Sequence, residues 1–220
     1  MACDHLDKKT FSNAMSAIAD EYYNISIEFN NGFKEAINAY YDGWKSVKGY
    51  KHISYLLKNI SAILDTASEK IVNNYNTMKE GGEAYAFSQE MGITISDITK
   101  KDFGFFSDKL YTEDMEIIID EDKIGTANEL MRTSLEKINK YVDNSKVHTE
   151  SDQTFGYYST DSYNPRVSIH NAYTSIENGL RTVTSNFHKE FEKILEEDKA
   201  ERDAKKHASA VDGSDFTDIF

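Results

Sequence analysis

Apolar residues recur at alternating intervals of four and three along two long stretches of this chain. The first runs Phe11, Met15, Ile18, Tyr22, Ile25, Phe29, Gly32, Ala36, Ala39, and the second Ile53, Leu57, Ile60, Leu64, Ala67, Ile71, Asn74, Met78. That spacing keeps one stripe of a helix facing a neighbour, as in a coiled-coil seam. Flanking residues (Ala19, Tyr23, Ile27, Ile37 and Tyr41, then Tyr50, Leu56 and Ile63) widen each stripe to the face a helical bundle buries. Only one proline, Pro165, interrupts the 220 residues, so the commonest helix breaker is nearly absent. The spacing predicts an all-α chain.

Thr10 or Ser12 can cap the first helix, and residues 1–9 carry no periodicity and are expected to fray. Tyr40-Tyr41-Asp42-Gly43-Trp44-Lys45-Ser46 holds the only tryptophan and separates the two stripes, so it reads as the turn of a helical hairpin. Glu80-Gly81-Gly82 is expected to end the second helix, since paired glycines favour a left-handed cap. Each helix would then be about 45 to 50 Å long. Between residues 83 and 116 the periodicity fails. Ile93–Ser96 and Glu116–Ile119 have strand character and could pair, and Phe103, Phe105 and Phe106 are expected to dock the linker.

A third helix is expected from Asp120, with Asp120 as N-cap and Glu121 and Asp122 in its first turn, stopping near Asp143–Ser145. A polar and aromatic loop through Phe155–Tyr163 follows, and Asn164-Pro165 opens a fourth helix with asparagine as cap and proline first. Its stripe is Ile169, Tyr173, Ile176, Leu180, Val183, Phe187, Phe191, Ile194. The charged segment from Glu196 to Lys206 is expected to carry the helix into solvent. The chain thus divides into a hairpin module (1–97), a linker (98–118), a second hairpin (119–206) and a loose acidic tail (207–220). The two hairpins predict either a four-helix bundle or an elongated helical rod.

Charge narrows the partners. The formal net charge is -13 and the isoelectric point about 4.9, which repels nucleic-acid phosphates and anionic lipid. Cys3 is the sole cysteine, so no intrachain disulfide can form. The start of the chain lacks a basic segment followed by an apolar run, so no ordinary signal peptide is expected. No apolar run approaches membrane-spanning length.

Two amphipathic helices of this length joined at Trp44 resemble the WXG100 proteins of bacterial type VII secretion systems. Trp44-Lys45-Ser46 occupies the place of their Trp-x-Gly turn, with serine for glycine, and Gly43 stands just before. The stretch from Met115 through Glu116–Ile124 resembles how many such modules open. The related LXG targeting domains of type VII toxins are of similar size and also long-helical, but no Leu-x-Gly motif stands at the needed place here. The resemblance implies a non-enzymatic protein that works through helix–helix contacts, with a helical WXG100-like partner, the secretion apparatus or a second copy of itself. It also implies a cytoplasmic protein before export, leaving by a route that needs no signal peptide. The family's export motif, Tyr-x-x-x-Asp/Glu after the second helix, has two matches, Tyr157 with Asp161 and Tyr173 with Glu177. About two are expected by chance with 14 tyrosines and 38 acids, and neither stands where the family places it.

No catalytic constellation competes with this reading. None of the six histidines (His5, His52, His148, His170, His188, His207) follows a glutamate by three residues, and no His-Glu-x-x-His pair, phosphate loop or Gly-x-Ser-x-Gly occurs. No catalytic residue, metal or cofactor is expected. Interaction candidates are Trp44 with Gly43, Tyr40 and Tyr41 at the first turn, and Tyr157, Tyr158 and Tyr163 in the second, since exposed aromatics suit interfaces. Each has a plain alternative: a side chain closing the end of a helix pair, or a loop folded onto its own helices. The competing function is a helical scaffold or membrane-associated adaptor unrelated to secretion, which would need a basic face larger than Lys45, Lys48, Lys51 and Lys58.

Overall fold

Helix α1 (Lys8–Glu28) starts earlier than the first apolar stripe, because Asp7 and not Thr10 or Ser12 is its cap: the Asp7 carboxylate accepts the Thr10 amide at 2.9 Å. The computed structural model describes residues 3–103 and 116–212. Residues 3–7, ahead of α1, are held in place. Strand β1 (His5–Leu6) pairs antiparallel with Tyr157–Tyr158, and Leu6 is buried. Those ladder bonds and that burial hold a segment too polar to show in a hydropathy pattern.

The unbroken heptad of the first helix is also corrected. A π-helical turn, Phe29–Phe33, joins α1 to α2 (Lys34–Gly43). A π turn inserts one residue, so the buried position after Phe29 is Phe33 and not Gly32, and Tyr40 takes the place expected of Ala39. Phe29 and Phe33 stack with ring centroids 5.2 Å apart. Strand β2 (Trp44–Lys45) leads into α3 (Val47–Ser88), which passes straight through Gly81-Gly82. The glycines serve packing: a Cβ at Gly82 would stand 2.6 Å from the Phe11 ring tip.

Strand β3 (Ile118–Ile119) pairs with β2 and not with Ile93–Ser96. Asp120 then caps α4 (Glu121–Thr149) by accepting the Lys123 amide at 3.1 Å, as expected. This helix runs past Asp143–Ser145. The loop beyond contains the short α5 (Asp152–Phe155), with Ser151 and Thr154 forming a capping box, and strand β4 (Tyr157–Tyr158). Gly156 between them adopts a left-handed conformation (φ 76) that glycine tolerates best. Helix α6 (Pro165–Asp212) begins as predicted, the Asn164 side chain accepting the Arg166 amide at 3.0 Å. Residues 207–212, expected in the tail, are helical. Phe105, Phe106 and the rest of residues 104–115 and 213–220 lie outside the described residues.

The protein is all-α, and among the described residues the strands are of two residues each. Its long helices pack so that each neighbour runs antiparallel. The α1–α2 column lies along α4, joined by Glu21–Asn144, Glu28–Lys137 and Tyr40–Asn128 contacts. Helix α3 lies along α6, with His52 against Phe187 and Lys48 beside Glu197. Helices α4 and α6 also pack on each other, joined by Lys146–Glu177 and Lys199–Glu121 pairs, whereas α1 and α3 touch little. The buried side chains of the two halves form one shared core.

The α1–α3 seam is filled by residues 91–103, an extended strap. Tyr75 and Asn76 donate to its carbonyls at Ser96 (3.0 Å) and Ile98 (3.3 Å), the Lys101 amide donates to Tyr22 Oη (2.8 Å), and Phe103 packs edge-on against Phe29 at 5.5 Å. The strap's own Ile95, Ile98 and Phe103 are buried. Of the three phenylalanines expected to dock the linker, Phe103 does so.

The halves are pseudo-equivalent, related by an approximate two-fold. A spacing of 113 residues carries β1 onto β3 and β2 onto β4, and the strands pair reciprocally. The Asp7 amide donates to Gly156 O at 2.9 Å, while the Asp120 amide donates to Gly43 O at 2.8 Å. A Cβ at Gly43 would meet Lys123 and Ile124, and one at Gly156 would meet Thr10 and Phe11, the same two positions of the other half. In α3 and α6 the buried positions coincide at a spacing of 116, as in Ile53/Ile169, Ile60/Ile176 and Leu64/Leu180. Ile63 and Gly179, equivalent by that spacing, touch each other. Contact of a residue with its own counterpart marks the axis of an isologous interface.

Candidate functional site

The tryptophan turn sits at one end of the helices, and the other half of the chain closes over it. Trp44 is extended (φ -130, ψ 90) and is fixed by the β2–β3 pairing, with Trp44 opposite Ile119 and Lys45 opposite Ile118. Ser46 caps α3, accepting the Gly49 amide at 2.7 Å. Gly49 is small because the indole lies on it: a Cβ there would be 2.7 Å from the ring. The serine that departs from a Trp-x-Gly turn thus has a structural task, and glycine appears one helical turn later.

Trp44 is fully buried. Phe191 meets its ring edge-on at 5.3 Å, and His52 at 6.2 Å. Its Nε1–H donates to Asp198 Oδ2 at 2.7 Å, and Ser46 Oγ donates to the same oxygen. Asp198 is 1% exposed, and an unpaired carboxylate at that depth would be costly. The two donors offset that cost. Asp198 extends the stripe Phe187–Phe191–Ile194 by one further step of four, so a charged residue occupies a core position. The segment from Glu196, expected in solvent, is anchored to the turn by this residue. Outside the anchor, Lys48 pairs with Glu197 (3.3 Å) and Glu201 (3.6 Å), and Lys199 with Glu121 (2.9 Å).

His52 stacks on Phe187 (4.4 Å, 11°), and its Nε2 lies 3.0 Å from the Phe187 carbonyl, which accepts. Burial holds its pKa below the ordinary histidine value, partly opposed by that hydrogen bond. Tyr40 is buried, donating to Asn128 Oδ1 at 2.5 Å, and burial pushes its phenol pKa up. Tyr41 shares a 3.0 Å hydrogen bond with Ser54 and meets Tyr50 edge-on at 5.0 Å. Gly43 is buried where α2 meets the start of α4.

The structure brings Trp44, Tyr40, Tyr41 and Gly43 together, but as a closed core and not as an open docking surface. At the second turn Tyr157 is also buried; its hydroxyl has no hydrogen-bond partner, and burial raises its pKa. Tyr158 is half-buried against His5, with ring centroids 5.4 Å apart. Only Tyr163 stands well out, 55% exposed, though its hydroxyl donates to Asn74. Six of these seven interaction candidates are thus core or half-buried, with the second half covering those at the first turn and the first half, through His5 and Phe11, covering Tyr157 and Tyr158.

Asp198 and Asn128 were missed as site residues. The 4–3 spacing reaches Asp198, so its register carried a signal, whereas Asn128 had none. Among the described residues no group of three or more His, Cys, Asp or Glu could hold a metal ion, and no helix is long and apolar enough to cross a membrane. No family model, curated protein or solved structure matches the chain.

Proposed function

We propose that this protein acts without catalysis, through helix–helix contacts, as an exported substrate or targeting partner of a bacterial type VII secretion system. The observation that carries the reading is the tryptophan turn: it joins two long antiparallel helices whose apolar faces are covered by a second, pseudo-equivalent half. A hairpin of this kind leaves one face of each helix open. The second half fills that place in cis, so the remaining partner in this proposal is the secretion apparatus itself.

The test is release of the protein from a bacterium with an active type VII system, compared with an isogenic strain lacking the system's membrane ATPase. The proposal expects the intact protein in the medium of the first strain only. Equal release from both, or retention by both, sinks it. Tyr163→Ala, which alters the one well-exposed aromatic of the two turns, is expected to change export more than folding.

A further inference from the structure

The two halves are equivalent in backbone but complementary in side chains where they meet. On the two-fold axis Ile63 of the first half faces Gly179 of the second, and a Cβ on that glycine would stand 2.8 Å from the Ile63 side chain. At one end of the bundle, Trp44 of the first half donates to the buried Asp198 of the second. At the other end the counterpart of Trp44 is Tyr157, and the counterpart of Asp198 is Gly82. Tyr157 of the second half lies on Gly81 of the first, where a Cβ would be 2.5 Å from its hydroxyl. That hydroxyl is buried without a hydrogen-bond partner. In all three places a large or donating group of one half meets a small or accepting group of the other, and the roles are not repeated by symmetry.

We propose that these contacts make each inner face specific for the opposite half, so that a second copy of the same half is refused. Two first halves would set Ile63 against Ile63 on the axis, an overpacked contact. They would also place Gly82 where Asp198 accepts, leaving the Trp44 Nε1–H buried without an acceptor at both ends. Two second halves would leave a gap between glycines on the axis. In that pair Glu197, the counterpart of Gly81, would bring a side chain into the space that Tyr157 fills. Selectivity of this kind comes as much from the defects of the wrong pair as from the contacts of the right one. A foreign hairpin could replace the second half only by offering a small residue on the axis and a carboxylate beside the indole. The inference is independent of the secretion reading.

The test starts from the full chain with a protease site inserted within residues 104–115, between the two halves. The folded protein is cut, unfolded in urea and refolded, and its complexes are weighed by native mass spectrometry. Pairing without preference would make about half of the complexes like pairs, as for any two subunits sharing one isologous interface. The expected fraction of like pairs is at least about tenfold lower. A second measurement needs no fragments. In the intact chain Gly179→Ile and Ile63→Gly should each lower the urea midpoint, the first by overpacking and the second by leaving a gap. The double variant should regain most of the loss, because side chain and space have only exchanged sides of the axis. Its glycine and isoleucine also return to equivalent helical positions, so helix propensity cancels. Like pairs at the random fraction overturn the proposal, and so do single losses that simply add in the double variant.

Discussion

Removing the carboxylate of Asp198 tests the closure of the tryptophan turn. Asp198→Ala strands the Trp44 Nε1–H in a site with no access to water. An unsatisfied buried donor costs about 1–3 kcal/mol, and a hydrogen bond to a charged acceptor is worth about 1.5–3 kcal/mol. Against this, the variant no longer has to bury a charge. Ser46 keeps its bond to the Gly49 amide. The net expectation is a loss of about 2 kcal/mol, or about 4–8 °C in Tm for a chain of this size. Trp44→Phe keeps an aromatic ring but removes the donor, so a double-mutant cycle isolates the bond. Urea unfolding followed by circular dichroism should give a coupling of about 1–2 kcal/mol between the two sites, as expected for residues in direct contact. A coupling below about 0.5 kcal/mol, the range of independent sites, would refute the claim that Asp198 holds the turn through the indole.

Other perturbations follow from the same geometry. Gly82→Ala should destabilise by about 1–3 kcal/mol through overpacking against Phe11, although it improves helix propensity. Gly125→Ala, in the open first turns of α4 where a Cβ meets nothing, should stabilise by about 0.5–1 kcal/mol; equal effects in thermal melts would contradict the packing role of Gly82. Gly156→Ala should cost more than Gly125→Ala gains, because it combines a left-handed backbone with a Cβ 2.6 Å from the Phe11 nitrogen. His52 binds its proton less readily folded than unfolded, since burial lowers its pKa. Its contribution is complete above the unfolded value of about 6.5 and declines as pH falls below it. His52→Gln should flatten the loss of stability between about pH 7 and 5.5, and an unchanged pH slope would show that another group governs it.

Much of the helical architecture was legible because its cause is periodic. The stripes of α3 and α6 put Ile53, Ile60, Ile169 and Ile176 in the core where the spacing placed them, and Asp120 and Asn164 cap as their chemistry requires. What escaped were features created by contact between distant segments. Gly82 looks like a helix stop until Phe11 is seen lying on it. Asp7 becomes a cap because Leu6 pairs with Tyr157 across the chain. The π turn at Phe29–Phe33 leaves a one-residue shift that a regular heptad absorbs by assigning Gly32 to the core. At Trp44 the sequence reading left open both a recognition surface and a side chain closing the helix pair, and the structure buries the ring. Local sequence marks an aromatic cluster at a turn; whether that cluster is covered depends on Phe191 and Asp198, about 150 residues away.

The central claim is that one chain supplies both halves of its own bundle. Light scattering on the purified protein, at concentrations spanning about two orders of magnitude, measures this directly. Self-pairing predicts a constant mass near 25.1 kDa. A mass near twice that value, or one that falls on dilution with loss of helical signal, would contradict it by showing that the apolar faces need a second molecule.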